Sequence, residues 1–270
     1  MKKLIEIEFL KFRKNNVILV LTAIFVFVFP WSILLFKDIF KNATPPFPST
    51  SAVYEFPTVW DYNGYAGSWF VCFCLGFVML YVITSEVGNK TMRQSIINGL
   101  TKKEYFISKL LTLLNLSLVS TIVYALSTLA LGLYHTSDVD FDLLFDTNYA
   151  PFKFFLMNVG YLSLALFFGF LVRRGTLALL TYFSYVLFLE MILRMIHLYY
   201  FKTRAIIFYP ANVFEDLMPN PMFKGPDVFF AKEWGFKPLL SSNEAILVSI
   251  LYIIIFVSSA WWLFKNKDVK

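Results

Sequence analysis

Glu190 and Arg194 are the most conspicuous charges in this 270-residue sequence, because they interrupt the otherwise apolar stretch 175–201. Their spacing of four puts them on one face of a helix, where they can pair locally or line a passage for polar groups through apolar surroundings. Other chemistry-bearing residues are thinly spread. Cys72 and Cys74, two apart on a helix, point to different faces, so neither a disulfide nor a paired metal site follows. With two Cys and two His in the whole chain, a four-ligand zinc site would also need Asp or Glu. His135 and His197 lack an evident nucleophile, and no paired His and Glu and no buried nucleophile with a base on a neighbouring span is visible, so an intramembrane hydrolase or transferase finds no support. Ser117, Ser120 and Ser127 form a stripe suited to close helix packing.

A denser constellation lies in 85–109, SEVGNKTMRQSIINGLTKKEYFISK. In order it offers Glu86, Gly88, Lys90 and Thr91, the short piece Met92, Arg93 and Gln94 through Asn98, then Gly99, Thr101 with Lys102, and Lys109. The pattern predicts a short interfacial helix between turns. Thr91 is expected to cap its start, Gly99 to end it in a left-handed conformation, and Thr101 with Glu104 to form a capping box for the next helix. The plain alternative is a basic loop whose charge merely sets membrane orientation.

The elements that hold these residues are legible in the charge gaps. A chain that is 58% hydrophobic and 16% charged, with a mean hydropathy of +0.64, lies far from soluble-domain composition. Crossing a bilayer takes about 20 apolar helical residues. Six such spans are expected, at about 16–36, 66–86, 109–134, 153–172, 176–200 and 244–264. The fold class is therefore an all-α integral membrane protein with a single transmembrane domain over 1–270. With the N-terminus inside, the inner segments hold 15 of the 24 basic residues but five of the 18 acidic ones, so both termini are expected to be cytoplasmic. The first apolar run is too long for a removable leader and is read as a span. Basic residues placed this way argue against nucleic acid as a partner.

Outside the spans, residues 37–66 combine Pro45, Pro46, Pro48 and Pro57 with Tyr54, Phe56, Trp60, Tyr62 and Tyr65 and read as an irregular outer segment at the headgroup belt. The loop 135–152 carries Asp138, Asp140, Asp142 and Asp146 without the ordered pattern of a calcium loop, and reads as solvated. The longest outer loop, 202–243, is expected to fold into short helices dipping partway into the outer leaflet. On the inner side, residues 1–15 suggest an amphipathic interfacial helix. There Ile5, Phe9 and Phe12 share a face, although Glu8 falls inside that apolar sector and an alternating Ile5, Ile7, Phe9 reading competes.

The segment 85–109 resembles the corresponding loop of type-2 ABC exporter permeases. That family carries a Glu after the second span, a Gly-Thr pair, a short coupling helix, a Gly or Pro, a Ser-Arg pair and a Lys opening the third span. This chain has Glu86, Lys90-Thr91, Gly99, Thr101-Lys102 and Lys109 at those places. The opening IEIEFLKFRKN, with Glu8, Lys11 and Arg13, is similar to the family's N-terminal elbow. The resemblance implies a coupling loop at 87–108 in which Glu86, Thr91, Met92, Arg93, Gln94, Gly99, Thr101, Lys102 and Lys109 transmit motion from a separate ABC ATPase subunit. It also implies a second permease copy, as a homodimer or a related heterodimer, in a bacterial cytoplasmic membrane with lipid around it. No Gly is followed by Lys anywhere in the chain, so a P-loop is absent. ATP and Mg are therefore expected on the partner, with no cofactor on this chain. An apolar, aromatic interior favours lipophilic or amphiphilic cargo. A membrane anchor or accessory subunit without transport activity is the competing function.

Overall fold

The computed structural model describes residues 2–37, 53–138, 149–221, 231, 232 and 234–267. Helices are its regular secondary structure among these residues, joined by turns, with no strand among them. Six helices are long and apolar enough to cross a membrane: Asn16–Leu35, Val59–Gly88, Lys102–His135, Ala150–Val172, Gly175–Tyr200 and Ser242–Asn266, termed here the first to sixth spans. The protein is an all-α integral membrane protein. An N-terminal helix, Lys2–Arg13, precedes the spans, a short helix, Thr91–Ile97, joins the second to the third, and a 3-10 turn, Arg204–Phe208, with a helix, Pro210–Glu215, follows the fifth.

The fourth span is the hub. Nearly all of its residues from Leu156 to Leu166 are buried, and it packs on the second, third, fifth and sixth spans and on the Pro210–Glu215 helix. The fifth and sixth spans are peripheral and leave Leu180, Phe188, Leu247 and Leu251 exposed, as a lipid-facing surface requires. Helix ends sort into two sets. Lys102 Nζ donates to the carbonyls of Lys265 and Lys267, and Lys267 Nζ to that of Leu171, which joins one end of the third, fourth and sixth spans. At the other end Phe56 N donates to Thr136 Oγ1, and Arg204 binds Glu244 with two contacts of 2.8 Å.

Several boundaries differ from the sequence expectation for physical reasons. The third helix starts at Lys102, not 109, because the expected capping box of Thr101 and Glu104 forms and satisfies the first free N–H groups there. The second begins at Val59, not 66. The described part of the segment before it packs inward: Val53, Tyr54 and Phe56 are buried, Tyr54 donates to the Ile33 carbonyl at 2.6 Å, and its ring stacks on His135. Of the other residues discussed in the sequence, Pro45, Pro46, Pro48, Asp140, Asp142 and Asp146 lie outside the described residues. In the first span Pro30 contributes no N–H, and the turn before it, Ile24–Val28, relaxes to a wider π-helical turn. The second and fifth spans carry similar turns at Val71–Leu75 and Tyr185–Leu189.

Polar ties between spans replace hydrophobic contrast, which is weak between helices in lipid. Fully buried Asn63 donates to Thr128 at 2.6 Å and to Ser127, Tyr124 donates to the Trp60 carbonyl, and Ser120 donates to Asn158 Oδ1 at 2.9 Å. Ser120 and Ser127 of the third span's serine stripe thus clamp onto neighbouring spans, while Ser117 is buried in the packing surface.

Candidate functional site: a buried charge cluster behind the Thr91–Ile97 helix

Glu86 lies two residues from the end of the second span, and Lys109 lies about 10 Å into the third, seven residues beyond Lys102. Helix periodicity turns both toward the N-terminal helix, whose Glu8 meets them. Lys109 is completely buried, and its Nζ reaches Glu8 Oε1 at 3.0 Å, Glu8 Oε2 at 2.9 Å and Glu86 Oε1 at 2.6 Å. Lys11 closes the ring, at 3.2 Å from Glu8 and 3.0 Å from Glu86. The remaining lone pairs are taken by hydroxyls: Tyr105 donates to Glu86 Oε2 at 2.7 Å, while Ser108 and Thr112 donate to Glu8. Two cations and two anions therefore alternate with every carboxylate oxygen engaged, the condition for burying such a group at all.

Burial alone would raise the Glu8 carboxyl, but Lys109 and then Lys11 outweigh it and hold the group below the ordinary glutamate value. Burial would likewise lower Lys11, and Glu86 and Glu8 reverse this and raise it. The opposed effects explain the awkward helical projection at the N-terminus. Glu8 sits in the apolar sector because that sector faces a protein interior holding Lys109. The segment is a helix, not the alternating strand-like alternative.

The Thr91–Ile97 helix hangs from this cluster. Its start differs from expectation: Lys90, left-handed at φ 58°, occupies the cap position without a side-chain bond, and Thr91 is the first helical residue. The Thr91 hydroxyl instead donates back to the Glu86 carbonyl at 3.3 Å, because the turn at Asn89 and Lys90 carries the chain back over the end of the second span. Gly99 ends the helix as expected, at φ +103°, with Leu100 N bonded to Ser95 O and Gly99 N to Ile96 O in a Schellman arrangement. Met92 is buried and Ile96 packs on the core, whereas Arg93, Gln94 and Asn98 are exposed and Ile97 is 71% exposed. Thr101 serves as the cap of the third span, and Lys102 reaches across to the C-terminal carbonyls of the sixth.

The sequence reading named Glu86, Thr91 and Lys109 but did not single out Tyr105, Ser108 and Thr112. Their signal was spacing: Tyr105 and Thr112 lie four before and three after Lys109, and Ser108 lies three from Tyr105 and four from Thr112, which places them on neighbouring parts of one helix face.

At the opposite end the fifth span brings Glu190 and Arg194 to a different environment. Glu190 forms no ion pair with Arg194 among the described residues. It is buried, and its two oxygens accept the backbone N–H groups of Ala211 at 2.9 Å and Asn212 at 2.8 Å. Glu190 thus caps the Pro210–Glu215 helix from a neighbouring span, satisfying donors that helix cannot satisfy itself. Glu190→Ala leaves two buried N–H groups without partners and is expected to cost about 2–4 kcal/mol. Thermal unfolding of the purified chain should fall accordingly, with Glu190→Gln, which keeps one acceptor, between the two.

The next residues extend this polar layer. Asp216 accepts from Asn212 Nδ2 at 3.2 Å and Leu240 N at 3.1 Å, which fastens the loop to the start of the sixth span. Burial pushes its carboxyl up to about 7, against the pull of the Leu240 N–H. Glu215 is raised by burial, opposed by Arg194 and reinforced by Glu190. Between the ordinary aspartate value and about 7 the folded state binds the Asp216 proton and the unfolded state does not. The stability it contributes is therefore fully present in acid and is lost as pH rises toward 7. Unfolding measured from pH 4.5 to 7.5 should show a downward slope that Asp216→Asn flattens.

His197 is held by Thr203 at 2.8 Å, and Cys72 and Cys74 are free thiols. No group of three or more metal-ligating residues forms among the described residues. No curated protein sequence matches this chain. The model of the ABC-2 family transporter protein matches residues 4–189, which include the N-terminal helix, the charge cluster, the Thr91–Ile97 helix and most of the fifth span. With more than half of its length matched and six helices long and apolar enough to span a membrane, the chain belongs to the ABC-2 transporter family and is a membrane permease of an ABC-type transporter.

Proposed function

We propose that this chain is the membrane-spanning subunit of an ATP-driven exporter for lipophilic or amphiphilic substrates, worked by a separate ATPase that grips the Thr91–Ile97 helix. The observation that carries the reading is the two-faced character of that helix. Its inner side, Met92 and Ile96, is fastened to the bundle, while Ile97 projects 71% exposed beside Arg93 and Gln94 at the strongly basic end of the molecule. An exposed isoleucine amid polar neighbours on a rigidly backed helix suits a shallow groove on a partner. The charge cluster then acts as the transmission. Force on the helix reaches Glu86 within one turn, and Glu86 is bonded through Lys109 to the third span and to Glu8 of the N-terminal helix. These elements move as one body, so closure of the ATPase shifts the balance between inward- and outward-facing states only if it binds one of them better.

ATP and Mg belong to that partner. The termini and the Thr91–Ile97 helix face the cytoplasm in this arrangement, and a second permease copy completes the translocation path. Co-purification of a nucleotide-binding protein with the tagged permease tests the reading, together with ATP-dependent movement of a labelled amphiphile in proteoliposomes. Recovery of the permease alone from membranes where its ATPase is expressed would reject it.

A further inference from the structure

A cavity of about 200 Å³ lies between the second, fourth and fifth spans and the Pro210–Glu215 helix, at the end away from the charge cluster. Its polar lining comes from Arg194, Glu215, Glu190 and Asn212, and its apolar walls include Trp69, Val186, Leu187 and Met191. The wider π-helical turns of the second and fifth spans flank it, supplying Cys72 on one side and Val186 and Leu187 on the other. Two of its charges, Arg194 and Glu215, attract each other through space without closing into an ion pair among the described residues. Glu190 is saturated by the two backbone N–H groups it caps, whereas neither Arg194 nor Glu215 makes a hydrogen bond or close ion pair among the described residues. Trp69 and Met191 are 42% and 51% exposed, so the cavity has an exposed apolar lip on the side of the spans.

We propose that this cavity is a binding site for the headgroup of a zwitterionic amphiphile, with its anionic group on Arg194, its ammonium on Glu215 and its tail leaving over Trp69 and Met191. A purely cationic ligand would face Arg194, and a purely anionic one would face both Glu215 and Glu190. A neutral apolar ligand would strip water from two charges and supply no partner, at a cost burial does not repay. A ligand carrying both charges satisfies both groups. The volume accommodates a headgroup and not a whole lipid, which matches a lip open to the hydrocarbon. The same chemistry fits a resident phospholipid or the transported cargo. Only the cargo case rests on the exporter reading, and binding itself does not.

The test uses the purified full-length chain in maltoside detergent, titrated with dihexanoyl phosphatidylethanolamine, dihexanoyl phosphatidylglycerol and hexyltrimethylammonium. The zwitterion should bind at least tenfold more tightly than either singly charged probe. Arg194→Gln and Glu215→Gln should each remove at least tenfold of that affinity, and Leu187→Trp, which fills the cavity without touching a charge, should abolish binding while leaving the unfolding midpoint in place. Equal affinity for the three probes, or undiminished binding by Leu187→Trp, overturns the proposal even if a charge variant fails to fold. With the ATPase present, stimulation of ATP hydrolysis by the bound zwitterion identifies cargo. Binding without stimulation identifies a resident lipid and leaves the site standing.

Discussion

Replacing Lys109 with methionine is expected to destabilise the protein by about 3–5 kcal/mol, the usual consequence of stripping one partner from a buried charge group. Lys109 is wholly enclosed and supplies three of the contacts to Glu8 and Glu86. Without it, two carboxylates face each other with Lys11 as the remaining cation, and Lys11 is partly exposed. The N-terminal helix should detach first, since Glu8 is the residue through which it enters the cluster. Protease digestion from the N-terminus and the unfolding midpoint read the two effects separately. A triple variant, Lys109→Met with Glu8→Gln and Glu86→Gln, removes the stranded charge and should recover much of the stability without recovering transport. That split would show that the cluster exists to couple elements and not to hold the fold. Recovery of both would show the reverse.

The second large effect is expected at the exposed face of the short helix. Ile97→Glu changes a side chain that is 71% exposed, so its unfolding midpoint should stay within the small range of surface substitutions, about 0.5 kcal/mol. At a docking face the same change places a charge where an apolar anchor belongs, and losses of about 2 kcal/mol or more, near 30-fold in affinity, are typical of such anchors. ATP-driven transport and ATPase recovery should therefore fall together while the permease remains folded. Arg93→Ala should weaken recovery less, and in a salt-dependent way.

The spans were readable because lipid imposes a simple code: about 20 residues without charge, and basic residues concentrated on one side. The helix ends were readable where a cap is written locally, as in Thr101 with Glu104 and in Gly99. What the sequence did not show depended on which side of a helix meets which neighbour. Glu8 looked misplaced on its own projection, and only the approach of the third span, with Lys109 buried in it, gives that position its reason. Glu190 suggested a pair with Arg194 four residues on, but its true partners are backbone N–H groups 21 and 22 residues away. Backbone donors carry no residue type, so no motif could announce them. Thr91 was misassigned as a cap for a related reason: the left-handed turn at Lys90 is a tertiary choice that no residue preference there requires.

The central claim is that a partner ATPase drives this permease through the Thr91–Ile97 helix, and crosslinking at Ile97 tests it most directly. With Ile97→Cys in membranes containing both subunits, and Cys74 replaced to silence the more accessible native thiol, a short bifunctional reagent added to inside-out vesicles should join the chain to a nucleotide-binding protein. The yield should change when ATP is added. Labelling of residue 97 only from the outer face, or a residue reached from the inner face that never captures an ATPase, would contradict the account.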